Sequence, residues 1–245
     1  MQESNNKTFN HLKIHTQYSI CEGALKIEDL KNYCKENKIK SLGLSDTSNL
    51  FGALEFSEKI SKSGTQPIIG TQIKCKIDDT TGLLPLFALN EIGYKNIIDL
   101  SSSSYLNNDK LSDPHIKFNK LLDNSSGVAI FSGTVQGLFG QLFDKGKFLE
   151  IDKLYQDLKS IYKDRFYIEI QRHGDTNEPG FEKFNLKRSI ELEIPLIATN
   201  EVFYLKKDMH EAHDALICIK NKTYVSEKNR IKLSDQHYLK THVEM

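Results

Sequence analysis

Seven short β-rich apolar runs, nearly every one followed by a helical pattern, constrain this chain more than any other feature. They are HLKIHT (11 to 16), SLGLSD (41 to 46), PIIGTQIKC (67 to 75), LLPLFALN (83 to 90), GVAIFSG (127 to 133), FYIEIQR (166 to 172) and PLIATNE (195 to 201). Between them, Ile27, Leu30, Tyr33 and Cys34 form one apolar stripe, and Ile151, Leu154, Tyr155, Leu158, Ile161 and Tyr162 follow the i, i+3, i+4, i+7 spacing. Such alternation implies parallel strands joined by helical crossovers. Seven units suit a closed or nearly closed α/β barrel better than a small open sheet, with a doubly wound sheet as the second choice. At 245 residues one large domain is expected.

Charge narrows the function. Lys plus Arg and Asp plus Glu are both 33, so the formal net charge is zero, whereas a surface wrapped along a nucleic-acid backbone is usually basic. A nucleic-acid role therefore needs a local patch or a partner. Cys21, Cys34, Cys75 and Cys218 lie far apart, no C-x-x-C pair occurs, and no leader-like or membrane-length apolar run is present. The expectation is a reduced, cytoplasmic protein with no zinc ribbon and no membrane contact, with Cys34 and Cys75 as small buried hydrophobes. SSSSYLNNDKLSDPHIK (101 to 117) reads as a long surface loop. Residues 1–8 read as disordered or extended, and the chain stops without a cap or breaker, as though it continued beyond Met245.

Ligands collect at the carboxyl ends of parallel strands, where the loops converge. Those ends present His15, Asp46 with Thr47, Gln72, Asn90, Ser132 to Thr134, His173, and Asn200 with Glu201, while Glu22 follows the first run on its loop. A concave polar pocket is expected there. A hydrolytic metal cluster needs several imidazole and carboxylate ligands that offset the ion's charge and leave a position for water. His15, Glu22, His173 and Glu201, with Asp46 as a fifth, are the candidates. They suffice for one ion and fall short of two or three. The plainer reading, in which His15 and His173 are hydrogen-bonded pocket residues, stands equally open. Lys13 weighs on the choice, because an ammonium has no lone pair to give a metal.

Together, HLKIHTQYSICEGALKI, LGLSDTSNLFGALEF, PIIGTQI, NEIGYKN, IEIQRHG, IATNEVFYL and EAHDALICI resemble a known domain from about residue 9 to the end. It is the amino-terminal PHP (polymerase and histidinol phosphatase) domain of the bacterial DNA polymerase III alpha subunit, a family C replicative polymerase. The resemblance implies a distorted seven-stranded (β/α)7 TIM-like barrel of the PHP type over 9–205. A post-barrel segment, 206–245, would lead toward a polymerase palm absent from this sequence. Position by position, the family's metal site is much altered. Its first His-x-His stands here as Lys13 and His15, its next carboxylate as Glu22, and its second-motif histidine as Thr47 after Asp46. The third-strand glutamate is Gln72, the histidine entering the fourth strand is Leu83, and the SGC-like ligand is Thr134. His173 is kept, and the closing Asp-x-His is Glu201 and Phe203. The resemblance thus makes His15, Glu22, His173 and Glu201 vestigial ligands, and Lys13, Thr47, Gln72, Leu83, Thr134 and Phe203 former ligand positions. Lys13 puts a positive charge where a cation would sit, and is expected to pair with Glu22 or Glu201 instead.

The parent chain is then expected to be a DNA-directed DNA polymerase, a nucleotidyltransferase using magnesium in its palm. This fragment is expected to have no activity and no cofactor of its own, with zinc or manganese entering only if the PHP site still works. Its implied partners are the rest of the alpha subunit, the proofreading exonuclease subunit, and DNA through the holoenzyme. Residues 101 to 117 and the helix FEKFNLKRSIELE are the candidate exposed surfaces. Two alternatives are a residual metal-dependent phosphoesterase (exonuclease or pyrophosphatase) and a free-standing PHP phosphatase. Against the second stand the phrases SDTSNLFGALEF and EAHDALICI and the abrupt end.

Overall fold

A computed structural model describes residues 9–108 and 112–245. The extended start expected over 1–8 lies outside them. In chain order the elements are α1 (Ile27–Asn37), β1 (Ser41–Leu44), α2 (Ala53–Lys62), β2 (Gln66–Ile77), β3 (Thr80–Ala88), α3 (Glu91–Leu106), β4 (Ile116–Lys117), α4 (Phe118–Asp123), β5 (Val128–Phe131), α5 (Leu138–Asp144), α6 (Phe148–Tyr162), β6 (Phe166–Ile170), α7 (Glu178–Glu191), β7 (Leu196–Ala198) and α8 (His210–Asn221). The class is α/β. By contacts the chain divides into two compact units, one of Met1–Leu44, Gly52–Ile68 and Asn200–Met245, the other of Ser45–Phe51 and Ile69–Thr199.

In the first unit, α1 packs on α2. Each supplies an apolar stripe at helical spacing, Ile27, Leu30 and Cys34 from one and Ala53, Phe56 and Ile60 from the other. Lys59 ties the pair on its polar side, 3.0 Å from Glu28 and 2.9 Å from Glu55. The run 11–16, expected as a full strand, forms only single parallel bridges, Ile14 with Val202 and Thr16 with Leu25. Its backbone is divided among three partners, so no ladder grows. His11 accepts from Gly43 N–H at 2.7 Å, His15 N–H donates to Val202, and Gln17 N–H donates to Leu25. Gly43 is required by this approach, since a Cβ there would lie 2.3 Å from the Leu12 carbonyl oxygen and 2.5 Å from its Cα.

The second unit holds the larger apolar core. Ile73, Leu84, Leu86 and Ile130 from the strands meet Ile97, Leu100, Phe139, Tyr155 and Leu158 from the helices. Here the uniform parallel alternation expected from the sequence breaks. β2 and β3 form an antiparallel hairpin with Ile77 opposite Thr80, turning through Asp78 and Asp79, with Asp78 at φ +48°. β3 pairs antiparallel with β5, and β5 with β6 and β6 with β7 pair in parallel. β4, unforeseen because it is two residues long, adds in parallel to β2 at Cys75.

Residues 101 to 117 also differ from the expected loop, since α3 continues through the serine run to Leu106. Asn90 starts that helix by accepting from Gly93 N–H at 3.0 Å. Ile97, Leu100 and Ser104 give it a buried face on which a serine replaces the apolar residue that would have revealed the period.

Gly43→Ala is expected to lower unfolding free energy by about 2–3 kcal/mol, as for other overpacked sites. Gly180→Ala, in α7, adds a Cβ that meets only Phe143 at 3.7 Å and should gain roughly 0.5–1 kcal/mol. Urea denaturation of both variants checks the contrast.

Candidate functional site

Lys13, His15 and Glu201 meet in the first unit. The backbone sets this up, because His15 N–H donates to Val202 and Val202 N–H donates to Lys13, each at 2.9 Å. Glu201 therefore lies beside two side chains that project from the same face of the 11–16 segment. Its two oxygens are divided: Oε1 accepts from His15 Nε2 at 3.0 Å, and Oε2 lies 3.4 Å from Lys13 Nζ. Lys13 is wholly buried and Glu201 is 13% exposed at its side chain. With the proton on Nε2, His15 Nδ1 accepts from Ser19 Oγ at 3.3 Å. Both imidazole nitrogens are engaged within the chain.

Phe203 sits among imidazoles. Its ring centroid is 4.6 Å from that of His15, 5.4 Å from His213 in a stacked pair, and 5.3 Å from His237. His213 Nε2 donates to the Glu22 carbonyl at 2.7 Å, and His237 Nδ1 donates to the Glu201 carbonyl at 3.0 Å. The Glu22 carboxylate pairs with Lys220 of α8. Of the two partners expected for Lys13, Glu201 lies 3.4 Å from its ammonium, and Glu22 lies beside a second lysine, Lys220. Sequence reasoning did not single out His213, His237 or Lys220. The i, i+7 spacing of His213 and Lys220 along EAHDALICIK was a usable signal for a shared helix face.

The remaining candidates, Asp46, Thr47, Gln72, Leu83, Thr134 and His173, belong to the second unit. Gln72 lies within β2 instead of at its end, bridged to Thr47. Leu83 stands opposite Lys74 in the hairpin. Thr134 Oγ1 accepts from Gln136 N–H at 3.1 Å, and Asn90 is a helix cap instead of a pocket wall. Asp46 is fully buried, and its carbonyl accepts from Gln72 N–H and from Thr71 Oγ1. His173 is buried on a loop gripped by Glu178. That carboxylate accepts from the backbone N–H of His173 at 2.9 Å, Gly174 at 2.8 Å and Asp175 at 3.1 Å. Burial works to raise the Glu178 carboxyl, but hydrogen bonds from the His173 ring and from the His173 and Gly174 backbone outweigh it and leave it below its usual range.

These donors do not fit a catalytic metal ion. Among the described residues no group of three or more His, Cys, Asp or Glu side chains could hold one. In the first unit the imidazole lone pair and both carboxylates already have partners, two of them ammonium groups. Cys34 and Cys75 are poor nucleophiles, because burial pushes the Cys34 thiol up to about 11 and Cys75 up to about 12.

A PHP-domain family model matches residues 11–173. The chain belongs to the PHP family. It is 34% identical over 258 residues to the DNA polymerase III subunit alpha of Caulobacter vibrioides, covering 100% of this chain and 22% of that one. It is 36% identical over 238 residues to the Rickettsia conorii subunit, covering 97% and 20%, and 33% identical over 249 residues to that of Borreliella burgdorferi, covering 97% and 22%. This PHP chain spans about a fifth of the length of these curated relatives. Among solved structures it resembles a proposed metal-dependent phosphoesterase from Bifidobacterium adolescentis, with a TM-score of 0.53 and 11% identity over 78% of this chain and 86% of that one. That likeness carries the PHP-type fold alone.

Two buried imidazoles of the first unit make its stability depend on pH. Burial depresses His11 to about 4; its bond to the Lys240 carbonyl opposes this and the Lys240 charge adds to it. Burial likewise lowers His213. Both are neutral in the fold, while the unfolded chain takes protons near 6.5. Stability is therefore full above about pH 6.5 and falls as pH drops toward 4, by about 3 kcal/mol for His11. Denaturation series at pH 7.5, 6 and 5 should show this loss, and His11→Gln should flatten it.

Proposed function

We propose that this chain is the PHP part of a DNA polymerase III alpha subunit, a DNA-directed DNA polymerase of replication. Within it the PHP fold is a catalytically inactive scaffold and a docking surface for the proofreading exonuclease subunit. Nucleotide transfer, with its magnesium, belongs to other parts of such a polypeptide, and DNA reaches this domain through the holoenzyme. The reading is supported by identity of 34–36% across 97–100% of the chain to subunits of that name in Caulobacter and Rickettsia. A cytoplasmic setting belongs to the same reading. Cys21, Cys34, Cys75 and Cys218 are free thiols, and among the described residues no helix is long and apolar enough to cross a membrane.

One observation carries the inactive role. Phosphoester hydrolysis needs a Lewis acid or an activated water, and the His15 and Glu201 side chains that a hydrolytic site would use are bonded to each other, with Lys13 on the second Glu201 oxygen. The second reading, a residual phosphoesterase, requires His15 and Glu201 to be released from that bonding. In the scaffold reading, residues 206–245, which follow α7 and β7, lead toward the polymerase portion. Docking on α7 is compatible with its packing, since Phe181 and Asn185 face inward while Ile190 is 80% exposed.

Incubated with manganese or zinc, the purified chain should release no nucleotide from single-stranded DNA and no phosphate from pyrophosphate beyond the level of His15→Ala. Metal-dependent release that disappears in His15→Ala would establish the phosphoesterase and end the scaffold reading.

A further inference from the structure

The family's chemistry calls for a cation among imidazole and carboxylate ligands, and this chain supplies one covalently. We infer that the Lys13 ammonium is the resident cation of the first unit's polar centre: it ties the 11–16 segment to the 200–204 segment through Glu201 and keeps a divalent ion out. Such a cation presupposes the scaffold role proposed above.

Burial comes first. Lys13 is 0% exposed, and an ammonium removed from water persists in charged form only beside an anion. Glu201 is that anion, at 3.4 Å, and its other oxygen holds His15 at 3.0 Å. The three side chains thus form a run Lys13–Glu201–His15 with the carboxylate in the middle, and the Lys13 nitrogen supplies the positive charge. The segments they join are the two whose backbones also pair, through His15 to Val202 and Val202 to Lys13. Side-chain and backbone ties therefore act on the same junction.

Glu22 repeats the pattern. It is the other carboxylate of the former ligand set in this unit, and it too carries an ammonium, Lys220. Each of these two anions faces a lysine, which weakens the pull of either on a dication. An ion entering beside Lys13 would meet repulsion from a fixed charge only a few ångströms away. Phe203 completes the exclusion: at its position an aromatic ring, packed on His15 and stacked on His213, offers no lone pair.

Thermal unfolding of the whole chain, with ion content measured by elemental analysis, tests the assignment. The wild type should contain no stoichiometric metal, and neither EDTA nor added zinc or manganese should move its midpoint. Lys13→Met and Glu201→Gln should each lower the midpoint by several degrees, and the double variant by clearly less than the sum. Lys13→His exchanges the ammonium for a lone-pair donor beside His15 and Glu201, and should gain an EDTA-reversible rise in midpoint with zinc. A wild-type midpoint raised by metal, additive losses in the double variant, or a Lys13→His variant that zinc leaves unmoved would each overturn the inference. If Lys13→Met does not fold, Glu201→Gln and the wild-type metal series still decide it. These readouts are stability and ion binding, whereas the scaffold role falls only on hydrolysis.

Discussion

A buried lysine has few ways to exist. Water stabilises an ammonium far more than protein does, so Lys13, with no exposed surface, constrains everything near it to provide an anion. Glu201 does so, and His15 fixes the orientation of that carboxylate by bonding its other oxygen. From this follow the close approach of residues 11–16 to 200–204 and the division of the His15 nitrogens between Glu201 and Ser19. The packing of Phe203 against three imidazoles follows as well. Removing one member of such a pair leaves an uncompensated charge, at a typical cost of about 3–5 kcal/mol. The centre therefore has structural consequences whatever its chemistry.

Membership in the PHP family and the absence, among the described residues, of three or more grouped metal-ligating side chains are consistent once fold and site are treated separately. A fold is maintained by its core, here the Ile73, Leu86, Ile130, Tyr155 and Leu158 cluster of the second unit. A metal site is maintained by a few lone pairs, and side chains such as Lys13 and Phe203, which have none to give, can stand in this fold without touching that core.

The sequence made periodic elements legible and hid those whose stability comes from elsewhere. α6 was visible because Ile151, Leu154, Tyr155, Leu158 and Tyr162 are both apolar and buried, although Ile161, which fits the same spacing, is 41% exposed. The end of α3 was invisible because its inner residue is Ser104. The first run misled in the other direction: His11 to Thr16 alternates like a strand, yet its hydrogen bonds go to three separate segments, which no local pattern encodes. At the site, resemblance located Lys13, His15, Glu22 and Glu201. It left open which carboxylate Lys13 would meet, because Glu201, and the Lys220 that pairs with Glu22, are both distant from it in sequence.

An apolar replacement of the Lys13, His15 and Glu201 centre could have been as stable, since buried ion pairs often gain little over well-packed hydrophobic side chains. What the polar centre adds is register. Residues 14 and 202 make a single bridge, too short a pairing to fix alignment through backbone bonds alone. Leu12, Lys13, Ile14 and His15 alternate, so a slip of one residue would present Ile14 to the Glu201 carboxylate and leave the Lys13 charge without its anion. The wrong alignments are penalised by a buried charge, whereas among purely apolar residues they would differ from the right one only in packing. A junction between segments so far apart in sequence, formed by so few backbone hydrogen bonds, gains its uniqueness from that penalty.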